Sequence, residues 1–248
     1  MIEPLVLLQN HGDVVVLQLN RPSKLNALST ELEKSLLTAI SSEAVSAASA
    51  VIFTGSAQAF STGADTSELP NMTPERIAAY YRGSGSLYDV VSKLPQPSVA
   101  AISGYCLGAG FELALACDIR IADDTAKFGL PEIGLGILPS SGGLTRLVRA
   151  VGTAVAREII LFGEYFSAAE AHRLGLVREV VPAGEALSVA IERSVFLGGQ
   201  PAMAVAWTKA AIDAAAESSA ASSLLIEQLA YAALNRSMTS NRSMTSEG

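Results

Sequence analysis

Acidic side chains set among glycines are where this sequence concentrates its chemical capability. Three stretches, FSTGAD at 60–65, GYCLGAGFEL at 104–113 and FGLPEIGLGILPSSGG at 128–143, put small residues where backbone N–H groups can approach a ligand. In the second, Ala109 falls near the start of a predicted helix, where unpaired N–H groups and the helix dipole favour negative charge. Glu112 follows one turn later and can reach a group bound at that end. Equally, Glu112 reads as a first-turn acid that only complements the dipole. Glu132 is flanked by Leu130, Pro131, Ile133 and Leu135; if it is buried, lost hydration raises its pKa and suits it to donate a proton. On a solvated loop it is an ordinary acid. Together the two resemble a division of labour, one carboxylate kept ionised near a helix N-terminus and one kept protonated in an apolar pocket. Pairs of this kind add or remove water.

Other chemistries fit less well. Gly104, Gly108 and Gly110 lack the G-x-G-x-x-G spacing of a dinucleotide turn, and no acid follows at the end of a second strand. Ser61, Ser140 and Ser141 lie in glycine-rich loops, but there is no G-x-S-x-G elbow, and His11 and His172 are the only histidines. These serines read as turn formers, and Arg146 and Arg149 as a solvated helix face, although either could pair with an acid. With two histidines far apart and only Cys106 and Cys117 as thiols, neither a metal site nor a disulfide framework is expected. That fits a reducing cytoplasm.

The elements that must carry these groups follow from periodicity and punctuation. VVVLQLN at 14–20, VIFTG at 51–55, SVAAISG at 98–104, DIRIADD at 118–124 and VREVVP at 177–182 read as strands. Thr30 and Glu33 form a T-x-x-E capping box opening a helix over 30–42, with Leu32, Leu36, Leu37 and Ile40 on one face. Thr73-Pro74-Glu75 opens another over 74–93. GAGFELALAC at 108–117 is a glycine turn and a helix; the run 128–143 is too rich in Gly and Pro for regular structure, and the chain is mostly helical from Gly143 to Gly175. Alternating strands and helices predict an α/β core with parallel pairing over 1–182. An alanine-rich helical subdomain is expected over 183–235, then a disordered tail over 236–248 in which NRSMTS occurs twice in tandem.

Composition narrows the class further. The 248 residues are 50% hydrophobic and 17% charged, enough for a large core and low enough in charge to suggest surface hidden in an oligomer. A formal charge of −7 opposes binding to nucleic acid. Nothing at the N-terminus reads as a secretory signal, and the apolar runs fall short of the ~18 residues of a membrane span.

Four phrases in order, NRPSKLNAL at 20–28, AFSTGAD at 59–65, SGYCLGAGFELALACDIRIA at 103–122 and FGLPEIGLGILPSSGGLTRL at 128–147, resemble the enoyl-CoA hydratase/isomerase family, the crotonase superfamily. The likeness is strongest to its hydratases. It implies a spiral of repeated ββα units with a C-terminal helical part that builds homotrimers, often paired as hexamers. It also implies an acyl-CoA thioester as substrate, in β-oxidation chemistry. The family's oxyanion hole maps onto the N–H groups of Ala64 and Ala109, and its two hydratase glutamates onto Glu112 and Glu132. Coenzyme A, part of the substrate rather than a cofactor, would run past Ser23, Lys24 and Leu25, along Ala64, Asp65, Thr66 and Ser67, and by Gly108. Lys24 would meet a phosphate or be an ordinary exposed lysine. No metal or redox cofactor is implied. The resemblance leaves double-bond isomerisation, thioester hydrolysis and catalytically silent acyl-CoA binding as alternatives.

Overall fold

A computed structural model describes residues 3–68, 73, 75 and 87–245. The main sheet has six strands: β1 (Val6–His11), β2 (Val14–Leu19), β3 (Ala50–Thr54), β5 (Ser98–Ile102), β7 (Ile119–Asp123) and β10 (Glu179–Val181), in that spatial order. β1 runs antiparallel to β2 and every other pairing is parallel. β3 and β5 are buried along their whole length, which is why they read as unbroken apolar runs rather than alternating ones.

A second sheet pairs β4 (Ala59–Ser61), β6 (Tyr105–Leu107), β8 (Lys127–Gly129) and β9 (Phe166–Ser167). Between the strands lie α1 (Thr30–Ile40), α2 (Glu43–Ala47), α3 (Leu87–Ser92), α4 (Ala109–Ala116), α5 (Gly143–Phe162) and α6 (Ala168–Arg173). One strand in each sheet and then a helix repeats as β3-β4-α3, β5-β6-α4 and β7-β8-α5. This is the expected spiral of ββα units. The second strands are three residues long and leave no periodicity to read. One of them, β8, lies at the start of the run expected to be irregular, and a 3-10 turn (Pro131–Leu135) follows inside it.

Capping differs by one residue. Ser29, not Thr30, caps α1, its Oγ accepting from the N–H of Leu32 at 3.2 Å. That register puts Leu32 at the third helical position and turns Glu33 inward, where it accepts from the Tyr88 hydroxyl at 3.0 Å. Thr30 instead donates its N–H and hydroxyl to Glu68. The helix ends at Ile40 because Ser42 caps α2. The helix expected over 74–93 lies largely outside the described residues; α3 falls within its expected span.

The chain divides into compact units at Gly198. Helix α7 (Ala186–Gly198), expected in the helical subdomain, belongs to the first unit. Its small residues Ala186 and Ala190 let its backbone lie close against Val14, Val16, Ile52, Val99 and Ile121 of the main sheet. In the second unit α8 (Ala202–Glu217) pairs with α9 (Ala220–Thr245). The helix α9 continues through residues 236–245, where the sequence predicts a disordered tail. Extending an existing helix costs far less than starting one. Among the described residues no helix is long and apolar enough to cross a membrane.

An aromatic cluster fixes α4 on the second sheet. Phe111 meets Phe128 edge-on at 5.3 Å and Phe166 at 6.0 Å, and the latter two stack at 5.8 Å. Phe111 and Phe128 are fully buried, so truncating either leaves a cavity beneath α4. Phe128→Ala is expected to cost about 3–5 kcal/mol in denaturant unfolding. An Ala variant as stable as the wild type would show that the cluster does not anchor the helix.

Candidate active site

Two loops are stitched together at the ends of the second sheet. In the first, the 3-10 turn Pro22–Lys24 leads into Leu25 and Asn26, both left-handed at φ 49° and 54°. Asparagine tolerates this region, and Asn26 is held there: its amide donates to Ala59 O at 3.0 Å and its Oδ1 accepts from Arg21 N at 2.9 Å. In the second loop, the Ser61 hydroxyl donates to Asn26 O at 2.8 Å and accepts from Gly63 N at 3.1 Å. Thr62 N donates to Leu25 O, Leu28 N to Gly63 O, and Asp65 N to Leu28 O. The bonds on either side of Ala64 occupy the edge facing Leu28 and turn the Ala64 N–H away from it. Ala64 is exposed.

Arg21 locks the arrangement. Its Nη1 donates to Asp65 Oδ2 at 2.7 Å and to Ala27 O at 3.1 Å. Bonds from Ser67, then Arg21, hold the Asp65 carboxyl at about 2. Asp65 and Ser67 thus shape the loop, while Thr66, Ser23 and Lys24 are exposed around it.

The other N–H comes from the turn between β6 and α4. Gly108, at φ 51° and ψ −130°, precedes Ala109, whose N–H begins the helix and so has no intrahelical acceptor. Ala109 itself is not left-handed, so alanine sits there without backbone strain. The loops touch at Gly63, at φ 96°: a Cβ there would stand 2.9 Å from Leu107 O and 3.2 Å from Ala109 N. Only glycine permits this approach, which sets the loop at Gly63 against the start of α4.

Glu132 faces the same turn, close enough to Glu112 to feel its charge. A Cβ on Gly108 would lie 3.2 Å from Glu132 Oε1, so this carboxyl faces the Ala109 turn. Its Oε2 is buried without a hydrogen-bond partner among the described residues. Burial, with a smaller contribution from the Glu112 charge, raises the Glu132 pKa to about 7. Glu112 is 2% exposed, and its Oε1 accepts from Ser141 N at 2.9 Å and Gly143 N at 2.8 Å. Burial raises its pKa too, opposed by those N–H groups and by Arg146. The expected opposite tuning is therefore corrected: both acids shift upward, because the Glu112 carboxyl is enclosed by protein rather than left at a solvated helix end. They differ in partners, Glu112 being gripped by two amides and Glu132 keeping a bare oxygen.

Sequence reasoning missed the donors to Glu112. They lie at the start of α5, and the signal was present in the Ser141-Gly142-Gly143 run. Gly143 is required because a Cβ there would strike the Glu112 side chain. Arg146, expected on a solvated face, is folded inward with its side chain 19% exposed.

Loop and helix-start amides near buried carboxyls have the chemistry to stabilise charge that develops on a carbonyl. A model of the enoyl-CoA hydratase/isomerase family matches residues 9–247. The chain belongs to this family. A Mycobacterium tuberculosis relative named as a probable enoyl-CoA hydratase is 40% identical over 90% of this chain and 86% of its own. The short-chain-enoyl-CoA hydratase of Clostridium acetobutylicum is 36% identical over 91% and 87%. Among solved structures, the enoyl-CoA hydratase from Bacillus anthracis superposes with a TM-score of 0.85 at 37% identity, covering 92% of this chain and 89% of that one. A Thermobifida fusca chain solved in complex with CoA gives 0.87 at 28% identity, covering 96% and 95%.

The Glu132 pKa carries a stability prediction for this member of the enoyl-CoA hydratase/isomerase family. Its folded value, about 7, exceeds the ordinary 4.5, so protonation favours the fold. That stabilisation is fully present below about pH 4.5 and is lost as pH rises through about 7. Glu132→Gln is expected to melt higher than the wild type at pH 8, with the gap closing as the pH is lowered. Parallel melting curves at all pH values would contradict it.

Proposed function

We propose that this chain is an enoyl-CoA hydratase, adding water reversibly and syn across the 2,3 double bond of a 2-enoyl-CoA to give the 3-hydroxyacyl-CoA. The observation that supports this reading is that Gly63, next to Ala64, stands against Ala109, while Glu132 faces the adjoining Gly108 and Glu112 is held by the amides of Ser141 and Gly143. An isomerisation needs one carboxyl to move a proton; a second, separately held carboxyl supplies what water addition requires.

The thioester carbonyl accepts from the N–H groups of Ala64 and Ala109, which stabilise the enolate as it forms. Each such donor contributes about 2.7–4 kcal/mol to the transition state. Glu112, ionised, takes a proton from water as the water oxygen bonds to C3. Glu132, protonated, delivers its proton to C2, and the enolate collapses to the saturated thioester. Dehydration reverses the roles. The reaction is redox-neutral, and coenzyme A enters only as part of the substrate.

The coenzyme A would lie along Ser23, Lys24 and Leu25, across Ala64 to Ser67 and past Gly108. The backbone bonds from Leu25 O and Leu28 O to the second loop support this path by holding both stretches together. We further propose a homotrimer or a dimer of trimers. Support comes from apolar side chains left exposed on α8 and α9, among them Trp207, Ile212, Leu225, Leu229 and Tyr231. A cytoplasmic setting fits Cys106 and Cys117, buried thiols that form no disulfide.

Incubation with a short 2-enoyl-CoA tests the assignment: the enoyl thioester absorbance should fall and the 3-hydroxy product appear. Glu112→Gln and Glu132→Gln are each expected to lower kcat by about 10²–10⁴. The kcat/KM profile should be bell-shaped, and because Glu132 must be protonated its alkaline limb should lie near its pKa of about 7. No loss of absorbance would end the hydratase reading. Loss of activity in Glu132→Gln alone would favour isomerisation.

A further inference from the structure

We propose that Arg146 is a positioning residue for this hydration, holding the Glu112 carboxylate in its reacting orientation by bracing the amide clamp that grips it. The proposal rests on the reading of Glu112 as the base. Arg146 lies in the first turn of α5, where a cation opposes the helix dipole. A solvated side chain would gain nothing there. Instead it folds back over Gly142, at φ 89°, where any Cβ would strike its Nη1.

From that position one guanidinium joins two elements. Nη1 donates to Ser141 O at 3.0 Å, and Nη2 donates to Tyr88 O, Asp89 Oδ1 and Ser92 Oγ, each at 3.3 Å. Ser141 therefore faces both ways: its carbonyl accepts from Arg146 and its N–H donates to Glu112 Oε1 at 2.9 Å. The loop carrying the clamp is tied to α3 through this side chain. Lysine cannot reproduce the tie, because a single ammonium lacks the planar fork that spans Ser141 and the three acceptors on α3.

Burial and charge act on Glu112 in opposite directions: burial opposes its ionised form, while the backbone N–H groups and Arg146 favour it. The Glu112 charge in turn raises the Glu132 pKa. Asp89 on α3, largely solvated, offsets part of the Arg146 charge. Loss of Arg146 would remove both the brace and the nearby positive charge.

The experiment measures hydration of a short 2-enoyl-CoA across pH by the wild type, Arg146→Gln and Arg146→Lys, with circular dichroism to check folding. A misplacement of about 1 Å at a reacting group can cost about 10²-fold. Arg146→Gln is accordingly expected to lower kcat by about 10- to 100-fold with KM within about threefold, and to move the acidic limb of the profile to higher pH. Arg146→Lys should lower kcat by about tenfold and leave that limb in place, since the charge remains. A merely structural role would lower activity and folded fraction together without moving the limb, and that result would overturn the proposal. So would a change confined to KM. If Arg146→Gln does not fold, Arg146→Lys decides: kcat within about twofold of the wild type overturns the proposal, and a folded enzyme with lowered kcat and unchanged KM sustains it. Absence of turnover by the wild type would overturn the hydratase reading itself; turnover by the wild type with unaffected variants overturns only the role of Arg146.

Discussion

A carboxyl group removed from water must find donors inside the protein or give up its charge, and the site is organised around that constraint at Glu112. Its Oε1 is met by main-chain amides, those of Ser141 and Gly143. This is possible because the ββα repeat sets the start of α5 beside α4, and because Gly143 has no side chain to keep the two apart. Phe111, one residue before Glu112, anchors α4 from beneath through Phe128 and Phe166. Helix, clamp and aromatic base together leave Glu112 little freedom to turn away.

The same economy governs the amides. In the proposed mechanism Ala64 and Ala109 act through their N–H groups alone, whose direction is set by neighbours. For Ala64 those are the bonds to either side made through Leu28, and for Ala109 it is the start of α4. Donors fixed by backbone need no reorganisation when charge develops, which makes them more effective than the same groups in water. The buried acids share their environment, so their proton losses belong to the pair as well as to each residue. Glu132, with one oxygen lacking a hydrogen-bond partner among the described residues, is the one whose pKa burial raises to about 7.

How far the sequence is legible depends on the range of the interaction involved. β2, β3 and β5 are long apolar runs, and burial on both faces writes itself into composition. For the two glutamates the local pattern left both a chemical and a plain structural reading open, because neither burial nor their partners can be read from neighbouring residues. The strands β4, β6 and β8 were not legible, since three residues cannot display alternation. The cap of α1 shifted by one residue because Ser29 and Thr30 are both competent caps, and Tyr88, 55 positions from Glu33, gives that acid a partner inside. Arg146 shows the same limit: its partners at 88, 89 and 92 are distant in sequence, so its inward course had no local signature.

Helix α5 is not one rod. At Gly152 the backbone departs to φ 76° and ψ 168°, interrupting the regular ladder between a first segment that supplies the Gly143 amide and a second that ends in the exposed Leu161 and Phe162. A continuous helix would behave as a stiff lever, carrying any displacement of its far end to its beginning. A single glycine hinge makes the joint compliant, so strain arising at the distal segment can relax by local rotation before it disturbs the carboxylate at the proximal end.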